Sequence, residues 1–241
     1  MSRMFVPVVS GLVGMFLVSA SGLSKASGAD AVMEVLDQIR WYGHDTFRID
    51  LGKVVYTDPF KVKHSDTADI ILVSHEHFDH CSTEDIAKLS SSDTVVVAPK
   101  QCRECLDNLG CKVVYMEPGG ITNVHGVQVT AVSAYNINKS FHPKEKGGLG
   151  FVVSGKGVRV YFAGDTDRIP EMKDLDVDIA LLPVSGTYVM DVEEAVAAVE
   201  DIKPRYVIPM HYGSIVGTKD DGSRFAELVK GKAEVKVLEP Y

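Results

Sequence analysis

Basic residues are few and scattered in this chain. Across 241 residues, 25 Lys and Arg stand against 33 Asp and Glu, a formal net charge of −8, and no long basic run occurs. Affinity for nucleic acid rests on clustered Lys and Arg set against phosphate, so the sequence argues against a nucleic-acid partner. Cysteine is also sparse: Cys81, Cys102, Cys105 and Cys111 are the only four. Cys102 and Cys105 have C-x-x-C spacing, which suits a redox pair or half of a zinc site. With no second C-x-x-C, structural zinc is poorly supported. A disulfide, in which Cys111 could take part, or plain free thiols account better for the four. No Ser–His–Asp arrangement stands out. Gly147-Gly148-x-Gly150 precedes a strand instead of joining a strand to a helix, so it fails as a nucleotide-binding turn. After residue 30 there is no linker, low-complexity segment or visible repeat.

The first thirty residues differ from the rest. Arg3 precedes an apolar run from Met4 to Ala20, followed by a small, polar stretch from Ser21 to Ala29. That order makes a secretory signal, with cleavage after Val18-Ser19-Ala20 or Ser27-Gly28-Ala29. The rival is an uncleaved membrane anchor, although Pro7, Gly11 and Gly14 interrupt the run and it is short for a span. The expectation is residues 1–29 as signal peptide or N-terminal anchor and residues 30–241 as one domain. The protein would be exported, to a periplasm or the exterior, and would touch a membrane only if the segment is uncleaved. Oligomeric state is not legible.

Residues 30–241 are enough for one α/β core. Ile39–Tyr42, Thr46–Leu51 and Lys53–Tyr56 read as strands, and Asp69–Ser74 as a buried one. Ser82-Thr83-Glu84-Asp85 opens a helix. Thr94–Ala98 and Lys112–Tyr115 read as strands flanking a helix over Gln101–Leu109. Val127–Ala134 alternates like a half-buried strand, and Gly150–Val153 and Val158–Phe162 form a hairpin around Gly155-Lys156-Gly157. Asp178–Leu182 and Tyr206–Met210 are strands, Asp191 caps a helix, Ser223–Val229 is a helix and Glu234–Leu238 a last strand. This order suits a layered α/β domain with sheet inside and helices outside.

His75-Glu76-His77-Phe78-Asp79-His80 follows the buried strand Asp69–Ser74 directly. His75 and His77 share a direction in extended backbone, while Asp79 and His80 fall on the turn into the next helix and can face a second point. One loop thus offers two imidazoles to one ion, and a carboxylate with an imidazole to another. Imidazole and carboxylate are the nitrogen and oxygen ligands that zinc takes.

His-x-His-x-Asp-His after a buried strand resembles the signature of the metallo-β-lactamase superfamily. Phe162-Ala163-Gly164-Asp165-Thr166, Ile208-Pro209-Met210-His211-Tyr212-Gly213 and Thr57-Asp58-Pro59 resemble further elements of it. The nearest likeness is to its metal-dependent hydrolase and ascorbate-phosphate-lactonase-like branch. The resemblance implies a four-layer αβ/βα sandwich and two divalent ions, zinc first, with Mn²⁺ or Fe²⁺ open. It implies His75 and His77 on the first ion, Asp79, His80 and His211 on the second, Asp165 bridging them, and Asp58 supporting a ligand histidine. A third histidine for the first ion must lie between His80 and Asp165. His125 falls in a polar turn and reads as solvated; His142 lies in the expected region, although relatives carry the ligand nearer to Tyr135-Asn136. Glu76 should point away from its two neighbours. His44 and Tyr188 are further catalytic candidates near the site, and His64 reads as a solvated loop residue.

On that reading the protein is a hydrolase. A hydroxide shared by two ions attacks an ester, lactone, amide or phosphodiester of a small-molecule substrate, and Asp79 orients it. The rivals are a di-iron redox protein, disfavoured because that sister branch usually has Glu where His77 stands, and a non-catalytic metal-binding protein of the same fold.

Overall fold

Two sheets face each other across the main core. A computed structural model describes Met1 and residues 28–63 and 66–241. The N-terminal apolar run and His64 lie outside the described residues. Among those described, no helix is long and apolar enough to cross a membrane.

The first sheet holds β1 (Arg40–Trp41), β2 (Phe47–Asp50), β3 (Val54–Thr57), β4 (Ile70–Leu72), β5 (Val95–Pro99) and β6 (Lys112–Met116) in chain order. The β1–β2 and β2–β3 pairs are antiparallel, while β3 to β6 run parallel. The second sheet holds β7 (Ile121–Val124), β8 (Val127–Ser133), β9 (Leu149–Gly155), β10 (Val158–Phe162), β11 (Ile179–Pro183), β12 (Tyr206–Met210) and β13 (Glu234–Val235), again in chain order. Here β7 to β10 are antiparallel and β10 to β13 parallel. Each half is thus a meander that turns into a parallel run, a duplicated architecture without visible sequence repetition.

The period of two along each strand assigns the faces. Val55, Ile70, Leu72, Val95 and Val97 join Val129, Phe151, Val153, Val160 and Leu181 in the core between the sheets. Tyr56, Ile71, Val73, Val96 and Ala98 form a second core with Ile86 and Leu89 of α2 (Thr83–Leu89) and Leu106 of α3 (Arg103–Leu106). Helices α4 (Val192–Ile202) and α5 (Asp221–Val229) pack on each other and extend the main core through Ala195, Val199, Phe225 and Val229. The Ser82 cap of α2 is observed, and Asp191 caps α4 with a reciprocal bond to Glu194.

Four readings change. Helix α1 (Gly28–Gln38) was not expected; it buries Val32, Val35 and Leu36 and straddles the expected boundary at residue 29. The helix expected over Gln101–Leu109 is a 3-10 turn over Lys100–Cys102 and one turn of α3, because Cys102 is drawn into the core. The last strand pairs only over Glu234–Val235. Finally, Cys105 bonds to Cys81 and not to its C-x-x-C neighbour, tying the turn after His80 to α3, while Cys102 and Cys111 are free thiols.

Every strand that leads into the histidine cluster ends on one rim, where α/β folds build their sites. The loop after β10 reaches it through Gly164, whose φ of +61° and whose missing Cβ both matter: a Cβ there would lie 2.9 Å from the Leu149 carbonyl oxygen and from Ser74 Cβ. Gly164→Ala is expected to lose about 2 kcal/mol and to lower Tm by roughly 4–8 °C, measured by thermal denaturation.

Candidate metal centre

Seven expected residues from four segments converge. His75, His77, Asp79 and His80 come from the loop after β4, His142 from the β8–β9 connection, Asp165 from the end of β10 and His211 from the end of β12. His75 Nε2 lies 2.9 Å from His77 Nδ1, and His142 Nε2 lies 3.3 Å from the same atom. Asp165 Oδ2 faces this group, 3.4 Å from His142 Nε2 and 4.0 Å from His75 Nε2. Its other oxygen, Oδ1, is 3.3 Å from His211 Nε2 and 3.6 Å from His80 Nε2. Asp79 Oδ1 stands 4.0 Å from His80 Nε2. The two donor groups therefore meet at one carboxylate.

The outer nitrogens are partnered so that the inner ones carry lone pairs. Ser74 Oγ donates to Asp58, so it accepts from His75 Nδ1–H. Asp58 Oδ2 accepts from His80 Nδ1–H at 2.7 Å. Ser185 Oγ lies 3.0 Å from His211 Nδ1, and the Tyr188 carbonyl accepts from His142 Nδ1–H. Fixing the tautomer this way aims each Nε2 at the centre. Lone pairs converging at these separations repel unless a cation or proton lies among them. His80 Nε2 and Asp165 Oδ1 are buried and have no hydrogen-bond partner among the described residues. Imidazole and carboxylate donors left unpaired in this way fit divalent metal ions.

The charges point the same way. Burial works to lower the His80 pKa, but Asp165, Asp58 and Asp45 outweigh it and push it up to about 10. Burial opposes ionisation of Asp165, yet His211, His80 and His75 hold it well below the usual carboxylate range. Burial first, and then the neighbouring histidines, drive His75 down, and they take His44 to about 4 against the pull of Asp79.

The sequence candidates stand as follows. His142 joins the cluster, and Asn136 holds it there: its Oδ1 accepts from the His142 backbone N–H, and its Nδ2 donates to the Tyr188 carbonyl and to Asp167. Asn136 is thus a brace for His142. His125 is exposed on the β7–β8 turn, its Nε2 on the Asp93 carbonyl. His44 Nε2 lies 3.2 Å from Asp79 Oδ2. Its backbone is left-handed (φ 51°), as are those of Asp58 (φ 33°) and His211 (φ 58°). Such strain in non-glycine residues collects at functional sites. The His44 carbonyl accepts from the His211 N–H and from Trp41 Nε1, locking the two loops together.

Two cavities flank the cluster. One, of about 280 Å³, is lined by Phe78, Phe141, Tyr188, Ile215 and Val216 beside the donor residues. The other, of about 120 Å³, is lined by Glu76, Gln101, Lys146 and Phe141. The sequence reading missed Ser74, Ser185, Gln101 and Asp45. For Asp45 a signal existed, since it adjoins His44; the serines and Gln101 follow strand ends but carry no motif.

Comparison with known proteins gives the family. The model of the beta-lactamase superfamily domain matches residues 38–211. The UPF0173 metal-dependent hydrolase of Thermoplasma acidophilum is 38% identical over 209 residues, covering 79% of this chain and 90% of that one. A crystal structure of a candidate metal-dependent hydrolase from Parabacteroides distasonis superposes with a TM-score of 0.73 at 31% identity, covering 83% of this chain and 93% of that one. Igni18, a metallo hydrolase of the archaeon Ignicoccus hospitalis, gives 0.70 at 25% identity, covering 84% and 94%. The chain belongs to the metallo-β-lactamase superfamily, among its metal-dependent hydrolases, and requires a divalent metal.

Proposed function

We propose that the chain binds two divalent ions, zinc by preference of its imidazoles, and cleaves an ester, lactone, amide or phosphodiester of a small molecule by attack of hydroxide. One observation carries this reading: the two oxygens of Asp165 face separate donor groups, Oδ2 toward His142 and His75, Oδ1 toward His211 and His80. When bound, such a pair of ions activates water at neutral pH and offsets negative charge developing on the substrate.

The chain's own residues do the rest. His75, His77 and His142 would hold the first ion, and Asp79, His80 and His211 the second. Asp79 is kept ionised: burial opposes this, but His44 and His80 prevail. It is therefore an acceptor able to orient the attacking water and take its proton. His44, held neutral at pH 7 by burial, orients Asp79 and does not serve as an acid. Tyr188 remains the proton donor candidate, as its ring lines the larger cavity and stacks edge-on against Phe141 at 4.6 Å.

The larger cavity favours substrates with an apolar portion. Phe78 is 73% exposed, Phe141 49% and Ile215 41%, an apolar rim open to solvent beside the donors. The Cys81–Cys105 disulfide supports export, because such bonds persist in oxidising compartments. The test is elemental analysis of protein purified without added metal, joined to a panel of ester, lactone, amide and phosphodiester substrates. Two ions per chain and turnover abolished by chelation are expected. A panel without metal-dependent turnover would sink the reading.

A further inference from the structure

Two buried carboxylates stand behind His80, and they differ in how they are satisfied. Asp58 is fully engaged: Oδ1 accepts from the Ser74 backbone N–H, and Oδ2 from Ser74 Oγ and His80 Nδ1. Asp45 is equally inaccessible, at 0% exposure, yet neither of its oxygens has a hydrogen-bond partner among the described residues. Its Oδ2 comes within 3.8 Å of His80 Nδ1, beyond hydrogen-bonding reach.

A carboxylate removed from water without donors is strongly unfavourable, so the group must be neutralised by a proton or by a cation. The surroundings say which. One donor atom each from Asp45, His80, Asp165 and His211 lie within 4.8 Å of one another, all four residues buried. His211 cannot serve Asp45 through its outer nitrogen, which faces Ser185 Oγ. Nor is the Asp45 backbone free to carry the side chain elsewhere. Its carbonyl accepts from Thr57 Oγ1, and the next residue is fixed by bonds from Thr46 Oγ1 to the Asp58 carbonyl and from the Phe60 N–H to Thr46 Oγ1. The carboxyl group is held beside the His80–His211–Asp165 group and left open to a cation.

We propose that Asp45 is an additional oxygen ligand of the second metal ion, which then has three carboxylates, from Asp45, Asp79 and Asp165, beside the imidazoles of His80 and His211. The proposal rests on the two-ion reading above. It makes the two positions chemically unequal: three imidazoles dominate the first, and oxygen donors dominate the second. The second position should therefore tolerate harder ions such as Mn²⁺ or Fe²⁺ better than the first.

The test compares the full chain with Asp45→Asn, which keeps shape and removes charge. Each chelated protein is titrated with Co²⁺, followed by visible absorption, by elemental analysis and by the melting temperature of free and loaded forms. The wild type is expected to take up two ions. Asp45→Asn should keep the first and bind the second at least tenfold more weakly, with altered Co²⁺ bands. Without metal the variant should still fold, because Asp45→Asn keeps the shape of the side chain. Uptake of the second ion within twofold of the wild type, with unchanged bands, would overturn the proposal. So would failure of the variant to fold, since that would show that protein groups hold the carboxylate. A wild type that takes up only one ion would overturn the two-ion reading itself.

Discussion

Asp165→Ala is expected to lower kcat/KM by about 10³-fold or more and to reduce bound metal below two ions per chain. Asp165 sends one oxygen toward each donor group, and no other described side chain does so. Its loss loosens both positions and lets the lone pairs of five histidines and Asp79 relax apart. Metal assistance in such reactions contributes several kcal/mol, and about 4 kcal/mol corresponds to 10³ in rate. Asp58→Asn is the informative contrast. Asp58 touches His80 only through Nδ1 and reaches His75 only through Ser74 Oγ, so it acts by orienting ligands, and losses through such partners are of order 10–100-fold. The comparison needs kcat/KM, elemental analysis and Tm for both variants. Equal losses would mean that Asp165 is one orienting group among others and does not join the two positions.

The two variants also mark where the sequence was informative. Strands of Val and Ile bounded by polar residues gave the parallel runs, because burial on both faces demands unbroken apolar stretches. The loop after β4 was legible because its four donors lie within six residues, and Asp165 and His211 because each follows a buried strand. Less could be read where contacts alone decide. His142 lies in a long connection with no periodicity, and what brings it in is a bracket of bonds from Asn136 and the Tyr188 carbonyl. Asp45 was missed because a turn residue and a buried, donorless carboxylate share the same letter. The expected helix over Gln101–Leu109 had the right apolar spacing but lost to the packing of Cys102 and Leu106 under the first sheet. The pairing of Cys81 with Cys105 was likewise invisible, since spacing favours Cys102 and only the fold sets Cys81 beside α3.

Removing metal should change not only activity but also the direction in which pH acts on stability. His80 has its pKa raised to about 10, Asp165, Asp58 and Asp45 overcoming the effect of burial. A histidine whose folded pKa exceeds its unfolded value stabilises the fold fully below about pH 6.5, and that stability is lost as pH rises toward 10. Burial opposes the upward shift of His211 too, but Asp165 and Asp45 produce it, so it acts with the same sign. Chelated protein is therefore expected to lose stability between pH 7 and 9, by about 1.4 kcal/mol per pH unit for each proton held. In loaded protein the same nitrogens carry metal in place of protons, and this slope disappears. Metal binding must displace the protons, so apparent affinity rises by about tenfold per pH unit for each one released. At 1,000 times Kd, one ion adds about 4 kcal/mol, which corresponds to roughly 8–16 °C in Tm for a chain of this size. Melting curves of chelated and loaded protein across pH 7–9 check both statements, and the gap between them should widen with pH. Parallel curves would mean that His80 and His211 carry no displaceable protons, and that the donors gather for some reason other than to take up metal.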